Sequence, residues 1–283
     1  MKNLTNGTSK NAQVRVDRVT PSYWKVIINN PPLNLMDANI IVQFRDIMDA
    51  VERDENLRVV VFESAVDGYF LNHSDFNVKL EEVTDLPQGP TGLEAWPDFL
   101  DRLPRAGVVS IAKIRGRATG NGSELSLACD MTFASREKTI LSQWEVGVGF
   151  VPGGGPMARL PRLIGRSRAL EVLLASDDMN GELAQEYGYI NRALPDAELD
   201  SFVDALAKRI SSFDKWAIAN VKRLVNAASL APDVELAAGW DTFIASVSRP
   251  APQTRLKIFR DLGWHKPGDA ETHMGAYLER VNR

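Results

Sequence analysis

Apolar residues in the first half of the chain follow two different spacings. Short runs rich in β-branched residues, at positions 23–28 and 59–62, are typical of strands, and the second is continuous enough to be covered on both faces. Between them, apolar residues recur at helical spacing behind Asp37, which predicts an amphipathic helix with Asp37 as its N-cap. This order of strand, helix and strand indicates a βαβ unit. Further strands are predicted around Val14 and Val16 and at residues 108–114, 131–134 and 139–142.

Helical periodicity dominates after about Pro152, with one short strand candidate at residues 190–194. No shift in composition marks a linker, so the change of architecture near residue 200 need not separate independent folding units. The pattern therefore predicts a mixed α/β fold whose C-terminal third is helical. Helices are predicted at residues 157–163, 167–175, 182–188, 198–211, 215–228, 234–247, 253–261 and 270–282.

Composition narrows the class of protein. The 283 residues are 44% hydrophobic and 25% charged, as in an ordinary globular protein, and the net charge of −4 argues against binding to nucleic acid or to an anionic membrane. No stretch approaches the ~18 apolar residues of a membrane span. The single cysteine, Cys129, favours a reducing, cytoplasmic location. The polar residues 1–12 resemble no targeting peptide and are interpreted as a flexible tail. With only three histidines, no metal site is predicted.

Two loops that follow predicted strands are candidate ligand sites, because ligands bind at the carboxyl ends of strands in α/β sheets. The first, residues 68–76, contains His73 within a polar cluster. The second, residues 116–122, holds three glycines, which would let the backbone approach a ligand. Its spacing fits no common phosphate-binding motif. A tight strand-to-helix connection without a ligand is the alternative interpretation of this loop.

Two glutamates lie in sequence surroundings rich in glycine and apolar residues. Glu124 follows the glycine-bearing loop, and Glu145 shortly precedes a second glycine-rich segment at residues 153–155. Burial and mutual repulsion would raise carboxyl pKa values, so that one group could hold a proton while the other accepts one near neutral pH. Each glutamate alone could equally be structural or solvent-facing. Their combination favours acid–base chemistry.

Several motifs, in the same order along the chain, resemble one known family. Residues 120–130, Gly-Asn-Gly-Ser-Glu-Leu-Ser-Leu-Ala-Cys-Asp, are similar to the G-G-G-x-E-L-x-x-x-C-D signature of the crotonase (enoyl-CoA hydratase/isomerase) superfamily. Residues 30–36 resemble the family's N-P-P-x-N-x-L segment, and residues 69–76 occupy the position of its F-x-A-G-x-D-L. Glu145 falls where the second family glutamate lies, and residues 151–160 and 184–194 resemble two further motifs. The resemblance covers roughly residues 14–230.

The resemblance implies a fold and an assembly. The fold would be a crotonase-like β/α spiral core over residues 13–200, followed by a helical C-terminal region, residues 201–283, that packs between subunits. The assembly would be a homotrimer or a dimer of trimers.

The resemblance also implies a reaction. The backbone N–H groups of Ser74 and Asn121 would stabilise the enolate oxyanion of an acyl-CoA thioester, and Glu124 and Glu145 would share acid and base roles in hydrating an α,β-unsaturated acyl group. Coenzyme A would be part of the substrate, with no separate cofactor. Residues implied to bind the substrate are Asn34, Leu35, Asn72, His73, Gly120, Trp144, Pro152 and Gly153.

Three departures from the family pattern keep alternatives open. His73 stands where the family commonly has glycine, and Asn121 replaces a middle glycine. The family's usual basic C-terminal segment is not found, and Lys257 and Arg260 are the candidates to take its place. A double-bond isomerase, a C–C bond hydrolase that uses His73, and a non-catalytic, RNA-binding protein of the same fold are therefore the alternative functions.

Overall fold

The computed structural model describes residues 12–283, so the predicted tail lies outside the described residues except for its last position. The strands are β1 (Val14–Thr20), β2 (Tyr23–Ile28), β3 (Val59–Ser64), β4 (Tyr69–Leu71), β5 (Val109–Ile114), β6 (Arg117–Thr119), β7 (Met131–Ser135), β8 (Ile140–Ser142), β9 (Met179–Asn180) and β10 (Arg192–Leu194).

The helices are α1 (Ala38–Arg53), α2 (Glu81–Thr84), α3 (Ala95–Arg105), α4 (Asn121–Ala128), α5 (Glu145–Val148), α6 (Pro156–Ile164), α7 (Arg166–Ala175), α8 (Gly181–Tyr187), α9 (Asp196–Ser211), α10 (Lys215–Ser229), α11 (Asp233–Val247), α12 (Pro250–Asp261), α13 (Asp269–Thr272) and α14 (Met274–Val281).

Two sheets form the framework, as expected of a mixed α/β core. The larger has the order β1-β2-β3-β5-β7-β10, and all of its neighbouring strands are parallel except β1 and β2. The smaller sheet has the order β4-β6-β8-β9, with β8 and β9 antiparallel. Strands β4, β6 and β8 of the smaller sheet come directly after β3, β5 and β7 of the larger sheet, so the chain passes repeatedly from one sheet to the other.

Strand β3 is covered on both faces, as its continuous apolar run predicts. Val60 and Phe62 pack in the main core with α1 and α3, whereas Val59 and Val61 pack against α9 on the opposite face. Because successive side chains of a strand point to opposite faces, a strand buried on both sides needs apolar residues at every position. The side chain of Asp37 accepts a hydrogen bond from the backbone N–H of Ile40, which confirms the predicted N-cap of α1.

Some elements carry no signal that the sequence pattern reveals. Helix α3 contains Pro97 and Pro104, residues that usually break a helix, and the short strands β4 and β6 lie within segments interpreted as loops. The predicted helix at residues 270–282 is two helices, separated at His273. The predicted boundary between residues 200 and 201 falls inside α9, which packs on the larger sheet. The division into two domains itself stays a prediction.

The C-terminal region has two parts with different surroundings. Helices α12 to α14 bury Leu256, Phe259, Met274 and Leu278 against Trp144 and Val148 of the same chain. Helix α10, in contrast, has no buried residue and leaves Trp216 and Leu224 mostly exposed. Within residues 12–283, none of the helices combines the length and the apolar character that crossing a bilayer requires.

Gly122 fixes the distance between α4 and the end of β4. A Cβ at this position would overlap the carbonyl oxygen of Leu71. Gly122→Ala should therefore lower the stability by about 1–3 kcal/mol, as overpacking in a close-packed interior typically does. Gly239→Ala in α11 is the matched control, because its Cβ would meet only the flexible end of Met157 at 3.3 Å. Chemical denaturation measures both; equal stability of the two variants would contradict the packing assignment.

Candidate active site

A cleft of about 940 Å³, counted out to its open mouth, lies where the loop after β4, the start of α4, helix α5 and the C-terminal helices meet. Its apolar wall is largely aromatic and includes Phe76, Trp96, Trp144, Trp240 and Phe243. Its polar groups include both glutamates singled out from the sequence, Glu124 and Glu145. A concave, mostly apolar cleft with a few converging polar groups is the usual form of a small-molecule site.

The loop after β4 leaves the Ser74 N–H without an acceptor among the described residues. Met36 donates its N–H to the carbonyl of His73 at 2.9 Å, and its own carbonyl accepts from the N–H of Asp75 at 2.8 Å. These two bonds form a parallel bridge on either side of Ser74, so its own N–H lies outside the ladder. The backbone on both sides of the predicted oxyanion donor is thus held in place.

The second predicted donor, Asn121, is the first residue of α4. The N–H groups in the first turn of a helix have no intrahelical acceptor, and they carry the positive end of the helix dipole. The Ser74 hydroxyl donates to the Asn121 side-chain oxygen at 2.8 Å, which ties the loop to the helix. The two residues therefore lie side by side in the cleft wall.

Gly120, just before α4, allows the helix to approach α5 closely. The residue has a φ of +51°, and a Cβ would lie 2.9 Å from the Trp144 indole nitrogen and 3.2 Å from Glu145 Oε1. A side chain here would therefore be strained and would displace both neighbours. The glycine of the family signature thus has a local physical reason in this chain.

Glu124 is a buried carboxylate with several hydrogen-bond donors. It is 2% exposed; Oε2 accepts from Trp96 Nε1 at 2.8 Å and from Asn121 Nδ2 at 3.1 Å, and Oε1 accepts from the Gly154 N–H at 2.6 Å. Burial raises the pKa of Glu124, whereas the bonds from Trp96 and Gly154 act against that rise. The charged form of Glu124 is thus supported from three sides.

Glu145 is buried to a similar degree, but fewer hydrogen bonds stabilise its charged form. It is 7% exposed, and its Oε2 has no hydrogen-bond partner in the described part of the chain. Burial, followed by the nearby charge of Glu124, raises the pKa of Glu145 well above its ordinary value. Of the two carboxyl groups, Glu145 is therefore the one whose protonated form the surroundings favour more strongly.

Arg159 of α6 supports this unequal pair from behind. Its guanidinium donates to the carbonyls of Gly154 at 2.7 Å and of Leu100 at 3.0 Å, and these bonds hold the glycine loop against Glu124. Burial lowers the pKa of Arg159 to about 10, which still leaves it charged near neutral pH. Its positive charge favours the ionised form of Glu124.

His73 lies in the cleft wall but directs its ring nitrogens into the protein. Nδ1 lies 2.9 Å from the Ser74 carbonyl oxygen, and Nε2 lies 3.2 Å from Oε2 of Glu271 in α13. The same Glu271 oxygen accepts from Asn72 Nδ2 at 3.1 Å. Residues 198 positions apart in sequence are thus joined in a buried polar cluster.

The structure brings seven of the predicted site residues into the cleft wall: His73, Ser74, Asn121, Glu124, Trp144, Glu145 and Gly153. Asn34, Leu35, Asn72, Gly120 and Pro152 do not line it. The backbone carbonyls of Asn34 and Leu35 have partners within the chain, because Asn34 O accepts from Asn72 N at 3.0 Å and Leu35 O accepts from Asn30 Nδ2 at 2.9 Å. The buried Asn34 side chain donates to Phe70 O at 2.8 Å, so it fastens the loop after β4.

Several residues of the site carried no sequence signal. Trp96 lies on a helix that the pattern did not predict, and Glu271 lies outside the region of family resemblance. Of the two basic residues considered for the C-terminal segment, Arg260 lines the cleft and donates to Phe76 O at 2.5 Å, whereas Lys257 is exposed and does not line it. The unusual His73 was the one available hint that a buried partner was needed.

Comparison with known proteins identifies relatives of this chain. The family profile described as "Enoyl-CoA hydratase/isomerase" matches residues 21–242. The chain is 30% identical to "Putative enoyl-CoA hydratase/isomerase YngF" of Bacillus subtilis over 71% of this chain and 76% of that protein. It is 28% identical to the mouse "Enoyl-CoA hydratase domain-containing protein 2, mitochondrial" over 69% of this chain and 66% of that protein. The crystal structure of a "putative enoyl-CoA hydratase" from Streptomyces avermitilis superposes with a TM-score of 0.90 at 37% identity, covering 94% of this chain and 96% of that one.

Because hydrogen bonds stabilise the charged form of Glu124 more than that of Glu145, replacing each glutamate by glutamine should have opposite effects on the free energy of unfolding. A carboxyl whose pKa is raised on folding costs stability as the pH rises above its ordinary value of 4.5. Glu145→Gln should therefore stabilise the protein at mildly alkaline pH by about 1–3 kcal/mol, and the gain should vanish as the pH falls towards the ordinary value. Glu124→Gln should destabilise it, because an amide cannot accept from all three donors.

Denaturant titrations at several pH values measure both effects. Glu186→Gln, at an exposed position on α8, is the matched control and should change neither stability nor its pH dependence. Loss of stability in the Glu145 variant at alkaline pH would contradict the assignment of the proton to Glu145.

Proposed function

The chain belongs to the enoyl-CoA hydratase/isomerase family of the crotonase superfamily, and we propose that it adds water reversibly to an α,β-unsaturated acyl-CoA thioester. The observation that carries the proposal is the pairing of two buried glutamates, one well supplied with donors and one poorly supplied, in the same cleft wall as two backbone N–H groups that have no acceptor among residues 12–283. Hydration needs a base and an acid at once, and this unequal pair provides both.

The two backbone donors would act on the thioester oxygen. When water adds to the β-carbon, negative charge moves to this oxygen, and donors fixed in place before the reaction stabilise it most effectively. Ser74 N–H and Asn121 N–H are held by the Met36 bridge and by the start of α4. The dipole of α4 adds to the effect, because its positive end faces the same place.

The two glutamates would divide the proton transfers. The ionised Glu124 accepts a proton from water as the water oxygen bonds to the β-carbon, and the protonated Glu145 gives its proton to the α-carbon as the enolate collapses. The proton gained by Glu124 then balances the one lost by Glu145. No metal or separate cofactor enters this sequence, and coenzyme A participates only as part of the substrate.

One alternative reaction has an observation of its own. A double-bond isomerase needs a single carboxyl that removes a proton and returns it elsewhere, and Glu145, with an oxygen that has no partner within the described residues, could act alone. A C–C bond hydrolase that uses His73 has less support, because both ring nitrogens of His73 already have partners within the protein. The acidic balance of the chain gives no support to RNA binding.

We expect the protein to self-associate as a homotrimer or a dimer of trimers. The apolar face of α10 supports this, since Trp216, Val221, Leu224 and Val225 are each more than half exposed there. Val221, Leu224 and Val225, spaced three and four residues apart, lie on one side of the helix, and exposed apolar patches of this kind mark interaction sites. The lone Cys129 is consistent with the cytoplasmic location expected from the sequence.

Turnover of a panel of enoyl-CoA esters tests the reaction. Hydration adds the mass of one water to the product, isomerisation leaves the mass unchanged, and C–C hydrolysis splits the acyl group, so mass spectrometry separates the three. Glu124→Gln and Glu145→Gln should each lower kcat by roughly 10²- to 10⁴-fold, the usual contribution of a general acid or base. Glu186→Gln should leave kcat unchanged. Hydration that survives in both site variants would exclude the proposed roles.

Substitution on α10 tests self-association. Leu224→Glu combined with Val221→Glu should reduce the mass seen by light scattering after size-exclusion chromatography to that of a monomer, because charges would replace apolar contact surface. Val42→Glu, at an exposed apolar position on α1, should leave the mass unaltered. A monomeric wild-type protein, or an assembly unaffected by the double substitution, would show that this face is not the interface.

A further inference from the structure

The cluster around His73 is fully buried and joins two distant parts of the chain. His73 belongs to the loop after β4, Glu271 to α13, and both are 0% exposed. Glu271 accepts three hydrogen bonds: from His73 and Asn72 on Oε2 and from the His265 N–H at 2.6 Å on Oε1. Burial acts to raise the pKa of Glu271, but the charge and hydrogen bond of His73, together with the other contacts, lower it below its ordinary value. Glu271 is thus an ionised acceptor.

The hydrogen-bond partners of His73 define its protonation. The carbonyl oxygen of Ser74 near Nδ1 can only accept, and an ionised carboxylate near Nε2 can also only accept. A neutral imidazole carries one N–H and would leave one of these contacts without a hydrogen. With Glu271 ionised, both contacts are satisfied when both nitrogens carry hydrogens, that is, when His73 is an imidazolium ion.

The neighbouring groups agree with a single positive charge at this place. The ring of His265 lies 5.0 Å from that of His73, and burial, with a contribution from the charge of His73, lowers the pKa of His265. The carboxylate of Asp75 pairs with His265, not with His73, since its Oδ1 lies 3.3 Å from His265 Nδ1. Trp264 and Trp144 cover the remaining faces of the His73 ring at centroid distances of 4.7 and 5.5 Å. Glu271 is therefore the direct counter-ion of His73.

A buried ion pair rarely adds net stability, because desolvating two charges offsets their attraction. The position of this pair, next to the backbone of Ser74, points to a role in orienting that backbone. Nδ1 of His73 lies 2.9 Å from the carbonyl oxygen of Ser74, and the peptide on the other side of Ser74 is held by Met36. The backbone of Ser74 is thus held on both sides, which restrains the direction of its N–H.

We propose that His73, held as an imidazolium by Glu271, is a positioning residue that orients the Ser74 N–H. This inference deepens the proposed function and rests on it. It also assigns a role to the C-terminal segment, which lies outside the matched family region of residues 21–242 and yet supplies the counter-ion to the site of its own chain.

Ring-nitrogen signals in the NMR spectrum of protein labelled with ¹⁵N-histidine test the charge directly. The chain has three histidines, and His265→Gln and His273→Gln assign the signals by removing one each. Near neutral pH, His73 should show two protonated nitrogens in the wild-type protein. In Glu271→Gln it should show one. A neutral His73 in the wild type, or a charge that persists in the variant, would overturn the ion pair.

Steady-state kinetics of the same variants test the positioning role. His73→Gln and Glu271→Gln should each lower kcat roughly 10- to 100-fold with little change in KM, because the group acts on the transition state. The double variant should be no worse than the poorer single one, since the pair acts as a unit. His273→Gln, at an exposed position on the surface, is the matched control and should match the wild type.

The outcomes separate this inference from the proposed function. If the wild type converts no enoyl-CoA ester, the proposed function fails and the positioning role falls with it, whereas the NMR signals still decide whether the pair is charged. If the wild type hydrates an ester but the His73 and Glu271 variants retain its kcat, only the positioning role is refuted. Melting temperatures identify variants that fail to fold, and for those the wild-type NMR signals remain decisive.

Discussion

Two carboxyl groups buried in one cleft, with unequal hydrogen bonding, are the constraint on which the rest of the structure depends. Burial alone would push both Glu124 and Glu145 towards the neutral form. Three donors and the charge of Arg159 support Glu124, whereas one oxygen of Glu145 has no partner among the described residues. The fold thereby separates two chemically identical groups into a proton acceptor and a proton donor.

Close backbone contacts produce the different surroundings of Glu124 and Glu145. Gly120 and Gly154 stand where a side chain would meet Glu145 or Glu124, so α4, α5 and the loop before α6 can converge on the same small volume. The C-terminal helices complete the cleft from the other side, with Phe243 and Arg260 in its wall and Glu271 behind His73. The helical region therefore forms part of the site of its own chain, in addition to the assembly role expected from the sequence.

The sequence predicts the local elements well wherever burial follows a simple period. Helix α1 with its Asp37 cap and strand β3 with its continuous apolar run are examples. It fails where tertiary contacts override local preference, as in α3, which keeps two prolines, and in β4 and β6, which are too short to show a period. Among the site residues, the glutamates and the loop donors were identifiable because they lie in motifs. Trp96 and Glu271 were not, because only the folded chain brings Trp96 to Glu124 and Glu271 to His73.

Infrared spectroscopy observes directly which of the two carboxyl groups holds a proton. A protonated carboxyl group has a carbonyl stretching band that an ionised carboxylate lacks. Spectra of the wild-type protein and of each variant are compared near neutral pH. The band of a protonated carboxyl should be present in the wild-type protein, absent from Glu145→Gln and retained in Glu124→Gln. A band that disappears with Glu124 instead, or no protonated carboxyl band in the wild type, would contradict the division of acid and base roles between the two glutamates.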